Sequence, residues 1–238
     1  MIKFFRQIRY DLMKQNKTSK YFKYAIGEIL LVVIGILLAL QINNWNDLRK
    51  NRNYEQEILT LINENLKNDS IALSTQLSYS KEATKLTNQL LEEVTQGIYN
   101  DNLNQWMGKI ISFEIFKSQS SAFEILKSKG IDIISNTELQ LELISYYDES
   151  LYHTYQAFED VEESFKNDWT PILKEDFLDY KWREYAILAD AKAFFTKQSN
   201  ISFIRLYKDN RASGEPYSEI ALEKISKIRT LSKTYIND

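Results

Sequence analysis

The first strong pattern in the chain is an unbroken apolar run. Residues 25–42 read AIGEILLVVIGILLALQI, in which only Glu28 and Gln41 are strongly polar and neither Lys nor Arg occurs. With Tyr24, the run approaches the ~20 residues that a helix needs to cross the ~30 Å hydrocarbon layer of a bilayer. The pattern therefore predicts a transmembrane helix over residues 24–43.

Beyond this run, apolar residues recur every three or four positions, the spacing of amphipathic helices. We predict helices over residues 47–96, 102–116, 121–129, 138–168, 174–198, 201–212 and 217–236. Isolated helices gain little stability from propensity, so their apolar stripes must be buried against one another. The predicted fold class is all-α, with one N-terminal transmembrane helix followed by an extended antiparallel helical bundle. A four-helix bundle with short additional helices is the favoured topology.

Local signals predict where these helices begin and end. Ser121 followed by Glu124 has the spacing of a capping box, and Gly130 is a suitable helix end. Asn136 or Thr137 is expected to cap the next helix, and Pro171 to end or kink it. Two further breaks are expected, at Asn68-Asp69-Ser70 and at Gly214 to Pro216.

Two other interpretations of the apolar run are a buried core helix and a cleaved signal peptide. A buried core helix rarely has strongly basic flanks of this kind. A cleaved signal peptide would have a shorter apolar core and a small-x-small cleavage site, and neither feature is present. An uncleaved signal-anchor is the better interpretation.

Charge on either side of the run predicts its orientation. Seven basic residues lie within residues 1–23, whereas only Arg49, Lys50 and Arg52 follow closely behind the run. The positive-inside rule therefore places residues 1–23 in the cytoplasm and exports residues 44–238. The prediction is a single-pass protein of the cell inner membrane with a periplasmic domain. Aromatic residues suited to the two membrane interfaces are Tyr21, Phe22, Tyr24 and Trp45.

The first twenty residues allow two interpretations. Apolar residues recur there at helical spacing, interleaved with Lys3, Arg6 and Arg9. This pattern favours an amphipathic helix on the anionic inner leaflet, with those cations contacting the lipid bilayer. The alternative is a charged orientation tag without fixed structure.

One face of the predicted transmembrane helix is a candidate helix–helix contact. Its residues are Glu28, Val32, Gly35 and Ala39. Small residues let two backbones approach closely, and a carboxyl group within lipid tends to face protein. The partner would be a second copy or another membrane protein. Alternatively, Glu28 reaches back toward Lys20 or Lys23 and the small residues have no role.

Composition narrows the class of protein. The chain has 44% hydrophobic and 26% charged residues, six Gly, two Pro and no Cys. Few turn residues indicate few, long elements, and the lack of Cys excludes disulfides and thiolate metal sites. From Asn43 onward, 31 acidic residues outnumber 23 basic ones, which argues against nucleic acid as a partner.

Two segments resemble a known family. They are residues 20–46, KYFKYAIGEILLVVIGILLALQINNWN, and residues 121–148, SAFEILKSKGIDIISNTELQLELISYYD, about a quarter of the chain. Both are similar to a family of uncharacterised bacterial membrane proteins, domain of unknown function 6090. The resemblance implies a single-pass protein with an exported helical domain, and it implies no activity. The matching positions are Gly27, Glu28, Gly35, Gln41, Asn43, Asn44 and Trp45 in the anchor motif, and Phe123, Glu124, Leu126, Lys127 and Gly130 in the inner motif.

No catalytic, cofactor or metal site is predicted. His153 is the only histidine, so paired Glu-x-x-His motifs and His/Cys zinc sites cannot be assembled. Phosphate-binding and calcium-binding patterns do not occur either. The expected function is a membrane-anchored interaction or scaffold protein of the cell envelope. The alternative is an extracytoplasmic ligand-sensing bundle that signals through a separate membrane partner, because about 23 cytoplasmic residues cannot form an output domain.

Overall fold

The computed structural model describes residues 18–236 together with Arg6 and Tyr10. The chain separates into two compact units, Met1–Tyr54 and Glu55–Asp238. The amphipathic helix expected at the N-terminus falls mostly outside the described residues. Arg6 lies in helical backbone and is exposed, whereas Lys3 and Arg9 are not among the described residues.

The apolar run of the first unit lies in helix α1, which has the bounds Thr18–Thr95. Large apolar side chains from Ile26 to Ile42 are 44–66% exposed. An 18-residue window has a mean hydropathy of 2.5 with none of its residues buried, so the helix is long and apolar enough to cross a membrane. Transfer of this apolar surface from water into lipid is favourable by a free energy of about 25 cal/mol for each Å2 that lipid covers.

The second unit contains the remainder of α1 and the other elements. The helices are α2 (Asn102–Ile111), α3 (Ser121–Lys129), α4 (Thr137–Ile144), α5 (Leu151–Ser164), α6 (Thr170–Asp176), α7 (Ala191–Thr196) and α8 (Gln198–Ile236). Helices α4, α5 and α6 follow one another through two π-helical turns, Ser145–Ser150 and Phe165–Trp169. The described part of this unit therefore has three long helical segments, rather than the four expected.

Helix α8 lies antiparallel to the part of α1 in its own unit. Lys81 Nζ is 2.6 Å from Glu219 Oε1, and further along α1 the Asn88 side chain accepts a hydrogen bond of 3.4 Å from Lys208. Rising residue numbers on α1 thus meet falling numbers on α8. Leucine and isoleucine side chains on the inner face of α1, such as Leu66 and Leu73, are fully buried.

Helix α8 is also antiparallel to the α4–α6 segment. Asn210 donates a 3.0 Å hydrogen bond to Ser164 near the end of α5, and Lys224 lies 3.0 Å from Glu142 on α4. Helix α8 thus packs against both of the other long segments. This arrangement confirms the predicted all-α fold with bundle-like packing.

A β-hairpin replaces the helix predicted over residues 174–198. Strands β1 (Phe177–Lys181) and β2 (Tyr185–Leu188) pair antiparallel, and Arg183 in the turn adopts a positive φ of 61°. The hairpin packs on α2 at Gly108, where an added Cβ would lie 2.4 Å from the backbone nitrogen of Tyr185. Only glycine permits this approach between the two backbones.

Several predicted helix ends also differ. Helix α1 continues through Asn68-Asp69-Ser70, and α8 continues through Gly214 and Pro216. Pro171 does not end the helical segment: it lies in the first turn of α6, directly after the π-helical turn Phe165–Trp169. The capping box of Ser121 and Glu124 is wrong, because Ser121 is already the first residue of α3 and the N-cap residue Ser120 makes no side-chain cap. Asn136 caps α4 by accepting from the Leu139 N–H at 3.0 Å.

Candidate functional site

Asp69 is the centre of a buried polar cluster on α1. Its side chain is 1% exposed, and its carboxylate accepts hydrogen bonds from the Ser118 hydroxyl, the Gln119 N–H at 2.9 Å and the Tyr146 hydroxyl at 3.0 Å. All three donors are neutral. No cation lies within 4.0 Å of Asp69 among the described residues. Hydrogen bonds alone must therefore offset the cost of burying this carboxylate.

The π-helical turn Ser145–Ser150 supplies the aromatic wall of this cluster. Burial, with a smaller contribution from the negative charge of Asp69, raises the pKa of both Tyr146 and Tyr147. Both hydroxyls therefore stay protonated, and that of Tyr146 remains a donor. The Tyr147 ring stacks on Phe123 with 4.2 Å between centroids.

The inner motif shared with the resembled family lies against this wall. Phe123 and Leu126 are fully buried, while Glu124 is exposed in the first turn of α3. Lys127 donates to Asp148 at 2.9 Å. Gly130 ends α3 with φ 109°, and its N–H donates to the Leu126 carbonyl at 3.0 Å. The motif thus joins α3 to the π-helical turn.

A second buried carboxylate on α1, that of Glu55, holds the far end of the same chain segment. It is 5% exposed and accepts from the N–H and hydroxyl of Ser135 at 2.7 and 2.8 Å. At 100° per residue, Glu55 and Asp69 lie within about 40° of each other around the helix. Residues 118–135 are therefore attached to one face of α1 at both ends.

Arg211 on α8 holds the chain on the N-terminal side of Ser118, at Ser112, and its neighbour Tyr207 holds Ile111, six and seven residues before Ser118. The guanidinium is 6% exposed and donates to the Ser112 carbonyl, and the Tyr207 hydroxyl beside it donates to the Ile111 carbonyl at 2.9 Å. These bonds engage the end of α2 and stop it at Ile111.

Arg211 also lines a small, partly enclosed cavity. Its Nε and the Gln76 Oε1 are buried and have no partner among the described residues. The cavity volume is about 10 Å3, close to the minimum for one water molecule. An organic ligand would not fit.

Arg211 holds the chain at Ser112, and Asp69 holds it at Ser118. The chain has no regular structure around and between these points, over residues 112–120. We call residues 113–117 (Phe-Glu-Ile-Phe-Lys) the open segment. In the described part of the chain, no hydrogen bond engages a backbone N–H or C=O of these five residues. The chain contains no turn or bend there, and Ile115 is 48% exposed.

Two surface concavities flank the open segment. One, of about 420 Å3, lies on the α5 side and is lined by Tyr155, Phe158 and Glu159 among others. The other, of about 510 Å3, lies on the α1 side and includes Thr75 and Tyr79. Both share residues 115–117 as one wall.

The charged side chains in the linings of these concavities are three acidic residues and one basic residue. Glu114, Glu159 and Glu162 contribute negative charge, and Lys117 is the one cation in the linings described. Glu162 is paired with Lys166 of the same helix, whereas Glu114 and Glu159 have no cation within 4.0 Å in the described structure. The two linings together therefore carry a net negative charge, and the Arg183 guanidinium stacks on the Tyr79 ring in the wall of the second concavity.

The candidate membrane-contact residues belong to the first unit. Val32, Gly35 and Ala39 are exposed, and a Cβ added at Gly35 would have no atom of this chain within 4 Å. Glu28 is half-buried. Their spacing puts all four on one face of α1.

The predicted interface aromatics are described unevenly. Phe22 and Trp45 are each 64% exposed, and the Arg49 guanidinium lies 5.8 Å from the centre of the Trp45 ring. Tyr21 and Tyr24 lie within α1, but their side chains are outside the described structure.

Sequence reasoning missed the residues that organise the second unit. Asp69 was interpreted as part of a helix break, and Glu55 and Arg211 were not singled out. One signal could have identified Asp69: it follows Leu66 by three residues and precedes Leu73 by four, which puts it on the apolar stripe. No sequence signal marks the open segment.

Comparison with known proteins gives a family but no relative of known activity. No curated protein and no solved structure matches the chain. A profile described as "Family of unknown function (DUF6090)" matches residues 28–166, which is more than half of the chain. The match includes Asp69, its donors and the open segment, whereas α8 lies beyond it. The resemblance drawn from residues 20–46 and 121–148 is confirmed, and the chain belongs to the family of unknown function DUF6090.

Proposed function

We propose that this protein is a non-catalytic interaction protein of the cell envelope, anchored in the inner membrane by one helix. The observation that carries the proposal is the apolar run of α1, none of whose 18 most hydropathic consecutive residues is buried. Lipid is the environment in which such a surface is stable. The helix is therefore assigned to the membrane.

The charge distribution supports a cytoplasmic N-terminus. Seven basic residues precede the apolar run and three follow it closely, and positive charge is retained on the cytoplasmic side. Lys3, Arg6 and Arg9 then face the anionic inner leaflet. Residues 44–238 are assigned to the periplasm.

The cavities favour partner docking over small-molecule sensing. A sensing bundle needs a closed pocket of a few hundred Å3, whereas the partly enclosed cavity at Arg211 has about 10 Å3. The larger concavities are open and lie on both sides of the open segment. A protein surface fits them better than an enclosed ligand.

Reporter fusions test the topology. An alkaline phosphatase fused after Asp238 is expected to be active in intact cells, and a green fluorescent protein fused at the same place is expected to be dark when exported by the general secretory route. The full chain is expected to stay in the membrane pellet after carbonate washing. A cytoplasmic reporter or a washed-off protein contradicts the proposal.

Crosslinking in native membranes tests the interaction. A photoreactive amino acid is placed at one exposed position of the second unit at a time, at several positions near the open segment. The same amino acid at Leu141, which is 62% exposed, gives the background level of crosslinking. A discrete crosslinked protein that depends on the probe position supports docking. Identical capture from every position contradicts it.

A further inference from the structure

The geometry points to the open segment as a strand-like edge that binds an extended, basic segment of a partner protein through backbone hydrogen bonds. This inference rests on the proposed interaction function, and it specifies both the surface and the chemistry of the partner. Adding a strand to a free backbone edge is a common mode of peptide recognition.

The first argument is the state of the backbone. The backbone N–H and C=O groups of residues 113–117 have no hydrogen-bond partner among the described residues, although Phe116 is only 3% exposed, and both ends of the stretch are fixed. At one end Arg211 holds the Ser112 carbonyl, and at the other the Ser118 N–H donates to the Tyr155 hydroxyl at 2.9 Å. A held but unpaired edge loses little conformational entropy when a strand pairs with it.

The second argument is space. Backbone groups of alternate residues point to opposite sides of an extended chain. An incoming strand therefore needs room along one side, and concavities of about 420 and 510 Å3 lie along the two sides. The first is partly apolar, with Phe158 and the half-exposed Tyr155 ring in its wall. It can receive one apolar side chain of the partner.

The third argument is charge, which selects the occupant. Glu114 and Glu159 have no cation within 4.0 Å among the described residues, and both line these concavities. Lysine or arginine at alternate positions of an incoming strand would reach them. Complementary charge of this kind favours a basic segment over a neutral or acidic one.

Charge also argues against a second copy of this chain as the occupant. Two open segments paired with each other would bring two sets of these glutamates together. Like charges placed opposite one another destabilise a strand pair. The test must therefore distinguish binding of a basic partner segment from self-association of this chain through the same edge.

The test uses the full chain in detergent micelles and a fluorescent peptide of seven residues that alternates lysine and valine. We expect saturable binding by fluorescence anisotropy, and slower amide hydrogen exchange at residues 113–117 when the peptide is present. Two further peptides carry N-methyl groups on the odd-numbered or on the even-numbered residues, so that each blocks one edge of the strand, and one of the two should bind at least tenfold more weakly than the parent. So should a peptide that alternates glutamate and valine.

Variants locate the site on this chain. Glu159→Gln leaves the backbone and the core untouched and should weaken the lysine peptide several-fold. Ile115→Pro removes one backbone donor, and its neighbour Glu114→Pro removes the donor on the opposite side. Because Glu114→Pro also deletes a carboxylate, its affinity is measured relative to that of Glu114→Gln, and the affinity of Ile115→Pro relative to that of the natural chain. Only one of these two prolines should reduce affinity tenfold. Ile115→Thr keeps the N–H and should bind as the natural chain does, and circular dichroism checks that each variant is folded.

Three results would overturn the inference: equal binding of both N-methylated peptides and the parent, unchanged exchange at residues 113–117, or self-association that Ile115→Pro abolishes. None of them touches the proposed function. That function fails separately if membrane crosslinking captures no discrete partner from any exposed position of the second unit. A partner captured equally well by the Ile115→Pro chain would keep the function and place docking elsewhere.

Discussion

The hydroxyl of Tyr146 donates a 3.0 Å hydrogen bond to the carboxylate of Asp69, and both side chains are almost completely buried. The two residues are 77 positions apart, on different long helical segments. Their bond therefore connects α1 to the π-helical turn while the Asp69 carboxylate also holds Ser118 and Gln119. One buried anion thereby orders the end of the open segment.

Removing the Tyr146 hydroxyl should destabilise the second unit. Tyr146→Phe keeps the ring and deletes one donor to a buried carboxylate, so we expect the free energy of unfolding to fall by about 1.5–3 kcal/mol. Urea unfolding of the full chain in detergent, followed by near-ultraviolet circular dichroism, measures it. Tyr152→Phe is the control, because Tyr152 is 56% exposed. Equal effects of the two changes would contradict the assigned role.

The class of fold was predictable, and its polar organisation was not. Apolar spacing correctly indicated α3, whose predicted and observed residues are both 121–129. It failed at residues 177–188, where tertiary packing on Gly108 outweighs a weak helical pattern. It also extended α2 to residue 116, because a carbonyl captured by Arg211 from a distant helix leaves no local signal.

Gly108 should tolerate no side chain. The Cβ of Gly108→Ala would lie 2.4 Å from the Tyr185 nitrogen, and a backbone atom cannot move aside as a flexible side chain can. Such overpacking costs about 1–3 kcal/mol, more than the ~1 kcal/mol that alanine gains in a helix. We expect a lower denaturation midpoint and faster amide exchange in β2. Gly35→Ala is the matched control, since no atom lies within 4 Å of its new Cβ. A Gly108→Ala chain as stable as the natural one would refute the close approach.

Pro216 lies inside α8, where it removes a backbone donor. It is exposed, so Pro216→Ala sacrifices little packing. Since proline in a helix interior costs up to about 3 kcal/mol, we expect the alanine variant to unfold at a higher temperature. Differential scanning calorimetry of the full chain in detergent measures the shift, with the exposed Ser213→Ala as control. An unchanged or lower unfolding temperature would mean that α8 has adapted its local geometry to the proline.

The membrane face gives a prediction about association. Gly35 has open space around it within this chain, so a neighbouring helix is what could approach its backbone. Gly35→Leu should weaken self-association in a two-hybrid assay for transmembrane helices if the partner is a second copy. Leu37→Ile, on another face of α1, provides the control. An undiminished signal would count against the contact through Glu28, Val32, Gly35 and Ala39.

Glu142 predicts how stability depends on pH. Hydrogen bonds from Lys227 at 2.9 Å and then from Lys224 at 3.0 Å lower the pKa of this carboxyl group, with burial opposing them. A carboxyl group whose pKa is lower in the folded chain stabilises it above the unfolded pKa and loses that contribution as the pH falls through the folded pKa. Glu142→Gln should therefore reduce the free energy of unfolding at pH 7 by about 1 kcal/mol, because the pair is partly exposed.

The difference between the natural chain and Glu142→Gln should shrink below about pH 4, near the usual range of a glutamate, as protonation makes the two side chains equivalent in charge. Urea unfolding at a series of pH values measures this convergence. Glu223→Gln on α8 is the control, because Glu223 is exposed and forms no ion pair within the described structure. If the destabilisation by Glu142→Gln were the same at pH 3 as at pH 7, it would come from altered packing, and the two lysines would not hold α4 to α8 through charge.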